Sequence, residues 1–188
     1  MSNSISYLNN KANMSKDFIY KRKSSVSFLP KKLSSQMIKE IIDASMWAPS
    51  SRNAQPWRII GIQHGTKNFN KIISALAGGN QIWAKNAGLI LVFATTIIED
   101  DFNPKIFLDI GFSGQNAMLK ATELDLETHP IGGWDEESVK QAISIPDDSK
   151  VVFLLVVGHK ADSSETPKER TRNKTENHFS LEKWGENF

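Results

Sequence analysis

Two stretches of this chain, Gly88–Ile97 and Lys150–Val157, are nearly unbroken runs of apolar and β-branched residues. A strand with one wet face alternates polar with apolar side chains; a continuous run is what a strand covered on both faces requires. The apolar cores of these runs, Leu89–Ala94 and Val151–Val157, are far too short to cross a bilayer, which takes about 20 residues. The chain must therefore build a central sheet with other elements packed on each side. Its 188 residues suffice for one domain that does so.

The covering elements are legible from apolar spacing. Ser34 or Ser35 can cap a helix whose residues Met37, Ile38, Ile41, Ile42 and Met46 fall on one face, with Pro49 ending it. Trp57–Ile62 reads as a strand, and Asn68–Ala77 as a helix closing at Gly78-Gly79. Pro104 starts a long helix to about Leu124, in which Gly111, Gly114, Ala117 and Ala121 form a stripe of small residues that another helix could approach closely, within the chain or from a second copy. Leu126–Ile131 is a short strand, Glu136 to Ile143 a helix entered through Asp135, and Lys150–Val157 the last strand, ended by Gly158. Four helix–strand alternations give an α/β or α+β sandwich around the sheet.

Composition narrows the function. A formal net charge of +2 is too small to imply a nucleic-acid or membrane partner. The absence of cysteine removes disulfides, thiolate metal sites and thiol nucleophiles, and agrees with a cytoplasmic setting. Residues 1–17 form a polar leader with no signal-peptide core, expected to be disordered. From Ala161 to Phe188 the chain is polar again but carries Phe179, Trp184 and Phe188. Aromatics on so polar a tail are expected to dock on a partner subunit.

Several chemistries drop out on spacing. His64, His129, His159 and His178 show no metal-ligand spacing. No Gly-x-Ser-x-Gly elbow exposes a serine; Gly111-Phe112-Ser113-Gly114 lies within the expected long helix. Neither a P-loop nor a Gly-x-Gly-x-x-Gly turn is present.

What remains is a set of polar contacts without a nucleophile. Pro49-Ser50-Ser51-Arg52-Asn53-Ala54-Gln55-Pro56-Trp57 is a short loop stiffened by two prolines and dense in hydrogen-bonding groups. Arg22-Lys23-Ser24 joins two cations to a hydroxyl, and Arg170-Thr171-Arg172 adds two guanidinium groups, all suited to phosphate. Pro130-Ile131-Gly132-Gly133 ends a strand with two glycines, where backbone N–H groups can reach a ligand unobstructed. Taken one at a time these are a turn, two solvated charged faces and a helix entry. Together they describe a ligand with a phosphate at one end and a flat hydrogen-bonding ring at the other.

The combination resembles the nitroreductase family, homodimeric flavoproteins that bind FMN and oxidise NAD(P)H. Arg22-Lys23-Ser24-Ser25-Val26-Ser27-Phe28 is similar to its opening Arg-Arg-Ser-x-Arg-x-Phe element, and Ala48–Trp57 to its Ala-Pro-Ser-x-x-Asn-x-Gln-Pro-Trp motif. Gly79-Asn80-Gln81, Asp109-Ile110-Gly111 with Gln115-Asn116, Ile131-Gly132-Gly133-Trp134, and Gly158 followed by Arg170 and Arg172 fall in the family's order. The resemblance implies an α+β fold, a mostly antiparallel central sheet flanked by helices, in an intertwined homodimer. The single domain would run over 18–188, with the tail of about 161–188 wrapping the partner.

The resemblance also implies roles. Arg22, Lys23 and Ser24 with Arg170 and Arg172 would hold the FMN phosphate and ribityl end. Pro49, Ser50 and Ser51, with Asn53 in the same motif, would reach the flavin of the opposite subunit, so that each site is shared. Asn80 and Gln81 would bond the pyrimidine edge, and Pro130, Ile131, Gly132 and Gly133 would lie along the ring. NADH or NADPH would supply a hydride to flavin N5, and a nitro-compound, quinone or similar acceptor would then take it from the same face, a ping-pong scheme. Relatives of the fold imply two alternatives: flavin storage with little turnover, and other flavin chemistry such as dehalogenation or azoline oxidation. One departure stands out: Val26 occupies a position where the family commonly has a cation beside the ring. A lower flavin midpoint potential than in relatives with that cation is expected, unless Lys23 or a helix N-terminus replaces it.

Overall fold

A computed structural model describes residues 18–96, 103–161 and 170–186. The leader 1–17 and the aromatic Phe188 lie outside the described residues, as does Ile97 at the end of the first apolar run. The helices are α1 (Phe18–Lys21), α2 (Ser35–Met46), α3 (Lys67–Ala75), α4 (Gly78–Ala84), α5 (Pro104–Glu123) and α6 (Glu136–Ile143). The strands are β1 (Arg58–Gln63), β2 (Leu89–Thr96), β3 (Leu126–Ile131) and β4 (Ser149–His159). They form one sheet in the order β1-β2-β4-β3, with every pair antiparallel. The fold is α+β, a four-stranded antiparallel sheet flanked by helices.

The two apolar runs are its central strands, paired over Leu89–Thr96 and Ser149–Val157. Their side chains alternate between two cores. Ile90, Val92, Ala94, Leu154 and Val156 face the layer of α3 and α6, where Phe69, Ile72 and Val139 are buried. Leu89, Leu91, Phe93, Leu155 and Val157 face α2 and α5, where Ile41, Ile110, Ala117 and Ala121 are buried. Each fully buried Leu, Ile, Val or Phe removes enough apolar surface to contribute about 1.5–3 kcal/mol before entropy. A register shift between Phe93 and Ala94 bends the pair without breaking it.

Side-chain caps fix where the covering helices begin. Ser34 Oγ accepts from Met37 N at 3.2 Å, Thr66 Oγ1 from Phe69 N at 3.1 Å, and Asp135 Oδ1 from Ser138 N at 2.8 Å. Each such cap stabilises its helix by about 1 kcal/mol.

Two expectations need correction, and an alternative left open by the sequence is decided. The segment after Ala75 does not simply close at Gly78-Gly79; the glycine pair opens α4, whose partly buried Trp83 stacks toward Phe28 at 6.0 Å. Gly158 lies inside β4, paired with Glu127, rather than ending it. The small-residue stripe of α5 also points inward for the most part, since Gly114, Ala117 and Ala121 are buried in the chain. A Cβ on Gly114 would stand 2.3 Å from Phe153 Cζ, so the missing side chain lets the helix lie on the Phe93–Phe153 ring pair. Only Gly111 of the stripe faces outward, among the exposed Leu108 and Phe112.

Candidate flavin site

The outer edge of β3 carries the N-terminal segment. Ser24 bridges to Thr128 in parallel, and Ser25 N donates to the Thr128 carbonyl at 2.9 Å. His129 Nδ1 lies 2.8 Å from the Ser25 carbonyl oxygen, which gives Nδ1 the role of donor; the His129 ring packs 4.4 Å from Trp83. These contacts set Arg22 and Lys23, next to Ser24, at a cleft of about 220 Å³ that Glu127, Thr128 and Lys160 also line.

Arg170 returns from the C-terminal segment to the same place. Its Nη1 donates to the Arg22 carbonyl and its Nη2 to the Tyr20 carbonyl. Burial, and then the charges of Arg170 and Arg172, lower the pKa of the Arg22 guanidinium. Three arginines therefore crowd one spot without a carboxylate partner among the described residues. Such an arrangement is relieved by an anion. Thr128 adds a second sign of a missing partner: it is 1% exposed, and its hydroxyl has no hydrogen bond. Lys23 is not free in the same way, since its ammonium pairs with Glu127 at 3.3 Å.

Farther along the same edge, Pro130 and Gly132 are exposed and Ile131 is buried. The turn after β3 is zipped to the end of α3: Ala77 N donates to the Gly133 carbonyl at 3.0 Å and Asp135 N to the Ala75 carbonyl at 2.8 Å. Asn80 lies alongside, with Nδ2 4.0 Å from where a Gly133 Cβ would be, and Ala77 Cβ only 3.3 Å from it. A side chain at Gly133 would press on Ala77. Gln81 is differently placed: its Nε2 donates to the carbonyls of Leu76 at 2.7 Å and Ser74 at 3.3 Å, so its N–H groups serve the end of α3.

The Pro49–Trp57 loop is built as stiffly as its prolines suggest. Ser51 N donates to Asp109 Oδ2 at 3.0 Å, Gln55 N to Ser50 Oγ at 3.0 Å, and Gln55 Nε2 to the Asn53 carbonyl at 3.2 Å. Arg52, Asn53 and Gln55 have positive φ, at 52°, 56° and 48°. Behind the loop, Ser45 Oγ lies 2.8 Å from Ser113 Oγ and Asn116 Nδ2 donates to the Ala44 carbonyl at 3.2 Å, tying α2 to α5. Ser113 is thus a buried structural group.

Arg22, Lys23, Ser24 and Arg170 come together, with Arg172 close enough to perturb Arg22, and Asn80 meets Gly133. Pro49, Ser50, Ser51 and Asn53 do not join them. The loop feeds β1 at one edge of the sheet, whereas Arg22–Ser24 lie on β3 at the other. Arg58 pairs with Ala94 and thence Val151, but Thr128 pairs with Val157. Three strand spacings and six residues of β4 separate them, on the order of 25 Å.

The family model described as "Nitroreductase family" matches residues 19–79 and 63–159. The chain belongs to the nitroreductase family. Among its relatives is the FMN reductase [NAD(P)H] of Bacillus subtilis strain 168, 32% identical over 161 residues, which span 73% of this chain and 62% of that protein. A solved nitroreductase family protein from Clostridium novyi NT is 25% identical with a TM-score of 0.70, over 91% of this chain and 94% of that one. A structure described as an oxidoreductase containing FMN is 26% identical with a TM-score of 0.71, over 77% and 76% of the two chains.

Val26, at the position where the resemblance leads one to expect a cation beside the ring, is 56% exposed, and the nearby nitroreductase-motif residue Lys23 has its ammonium drawn to Glu127. Asp109, Thr128 and His129 have contacts that local sequence reading left unassigned. The alternation in Leu126–Ile131, with Glu127 and His129 both polar, is the signal that could have found the last two. Among the described residues, no helix is long and apolar enough to cross a membrane.

Proposed function

We propose that the chain is an FMN-dependent NAD(P)H oxidoreductase, acting as a homodimer on nitro-compounds, quinones or similar acceptors. The observation that carries this reading is the meeting of Arg170 with Arg22, within reach of the charge of Arg172, at a cleft that Arg22 and the unpartnered Thr128 both line. It fits the terminal phosphate of FMN, which would accept several charge-assisted hydrogen bonds there. Pro130 to Gly133 and Asn80 then continue along the same edge, where the flat part of the cofactor would extend.

Bound FMN supplies a centre that accepts and returns a hydride. The protein's own residues hold and orient it. Arg22, Lys23, Ser24, Arg170 and Arg172 fix the phosphate and ribityl end; Asn80 bonds the pyrimidine edge; backbone groups of Pro130–Gly133 line the ring. Gln81 has the weakest claim to a ring contact, because its N–H groups are occupied. Pro49, Ser50, Ser51 and Asn53 serve the other protomer's cofactor, a role supported by their separation from Arg22 within one chain. The tail from 170 onward, whose Trp184 is fully exposed, wraps that partner, as the exposed Leu108 and Phe112 face it. One open ring face serving co-substrate and acceptor in turn gives ping-pong kinetics.

Two experiments test the reading. The purified protein should absorb as an oxidised flavoprotein and bleach anaerobically with NADH or NADPH; a colourless protein that FMN cannot reconstitute would overturn it. For the shared site, a subunit carrying Ser50→Ala and Ser51→Ala is mixed with one carrying Arg22→Ala and Arg172→Ala. One FMN site per heterodimer should recover, and no recovery would refute contribution across the interface.

A further inference from the structure

A second cleft lies beside the Pro49–Trp57 loop, and its charged residues are not among those assigned to FMN above. It measures about 520 Å³ and is walled by Ser51, Arg52, Ala54, Gln55 and Pro56 of the loop, the start of β1, Thr95 and Thr96 of β2, and the first turns of α5. Arg52, Arg58 and Lys105 line it. Asp109 is the one acid among the described lining residues, but it is 5% exposed and its Oδ2 already accepts the Ser51 N–H. Among the described residues, neither Arg52 nor Lys105 has a carboxylate partner. Arg58 gives one N–H to the Trp57 carbonyl at 3.0 Å and keeps its other donors.

Arg52 is also displayed from a fixed base. An L-residue at φ 52° persists where its surroundings over-determine it, and here the Asp109–Ser51 and Ser50–Gln55 bonds do so. It directly follows Ser51, so its Cα lies about 3.8 Å from that of the proposed ring contact, and both residues line the cleft.

We propose that this cleft binds the anionic end, phosphate or carboxylate, of the molecule whose reacting end lies against the flavin served by Pro49–Ser51. The inference rests on the flavin reading and names the charge class of substrate that the reading leaves open. A guanidinium fork bonds either anion through two parallel N–H groups, and the lysine adds a point charge. The anion has two possible sources: a phosphate of the nicotinamide dinucleotide, or a carboxylate on the acceptor.

The test compares the FMN-loaded full chain with R52Q/K105Q, and with K105Q alone as a variant outside the loop. Calorimetric titration with 2′,5′-ADP, which cannot react, measures anion binding directly. Steady-state KM values are taken for NADPH, NADH, 4-nitrobenzoate and 4-nitrobenzamide. With two charge-assisted contacts removed, 2′,5′-ADP affinity should fall about tenfold in the double variant if the dinucleotide is the source, with a matching rise in KM for NADPH. If the acceptor is the source, KM should rise for 4-nitrobenzoate and not for the neutral amide. Glu99, Asp100 and Asp101 precede Asn103 in the sequence, outside the described residues, and the wild-type titration includes whatever they contribute. The inference is overturned if FMN is retained and reduced normally while probe affinity and both KM comparisons stay within about twofold of wild type, well below what two such contacts supply. Failure of the wild-type protein to bind FMN would overturn the underlying reading instead, and this inference with it.

Discussion

The backbone N–H of Ser51 donates to Oδ2 of Asp109, 58 residues later, at 3.0 Å. This bond fastens the proline-bracketed loop to the long helix α5, with the carboxylate almost wholly buried. The loop is therefore positioned by tertiary contact as well as by its own prolines. Asp109→Ala should destabilise the fold by about 1–3 kcal/mol, as a buried hydrogen bond to a charged group is lost. It should also weaken FMN binding through the displaced loop, with Asp109→Asn restoring part of both because it keeps an acceptor. Urea unfolding and flavin fluorescence titration read the two effects; unchanged FMN affinity in the alanine variant would separate the loop from the cofactor.

At the other edge, Arg22→Ala removes one guanidinium from three. We expect FMN affinity to fall about tenfold or more, the equivalent of a charge-assisted hydrogen bond. Fold stability without FMN should change little or rise, because Arg22 is disfavoured by burial and by Arg170 and Arg172. A large loss of stability in the apoprotein would show that the cluster is structural.

Gly114→Ala distinguishes inward from outward packing of α5. A Cβ there meets Phe153, itself stacked on Phe93 at 4.4 Å. Overpacking of this kind should cost about 1–3 kcal/mol in thermal or urea unfolding. Cross-linking yield between subunits should be unaffected; a selective loss of dimer would place the stripe at the interface after all.

Glu136 gives a pH signature. Burial pushes its carboxyl pKa up, but hydrogen bonds from the Lys150 ammonium and Val151 N–H outweigh that and leave it lowered. A lowered folded pKa means stability that is present above the ordinary glutamate range and lost as pH falls through the folded value. Glu136→Gln should therefore be less stable than wild type at neutral pH, by on the order of 1 kcal/mol after solvent screening. That gap should close on acidification below the ordinary glutamate range, and a gap constant with pH would exclude the ion pair as its source.

Much of the architecture could be read from hydrophobic period because the buried strands have little freedom. Leu89–Ala94 and Val151–Val157 suit a position between two layers, and the caps at Ser34 and Asp135 mark helix starts through local chemistry. The inward turn of Gly114, Ala117 and Ala121 was not legible, since small residues permit close approach from either side and only tertiary packing selects one. Nor was α4, because a glycine pair that reads as a stop can equally open a helix. At the site, residue types identified the phosphate cluster, but its crowding depends on Arg170 returning to the carbonyls of Tyr20 and Arg22. Asp109 and Thr128 gained their significance from a distant loop and from a hydroxyl left without a partner, neither of which local sequence encodes.

The placement of Arg22 and Ser51 at opposite edges of a four-stranded sheet has a consequence for mass action. If each cofactor needs both groups, a dissociated protomer holds only half of the contacts, and FMN retention becomes second order in protein. Dilution should release flavin and subunits together, while added FMN should pull monomers into dimers. The yellow colour of the solution would then measure association as well as cofactor content.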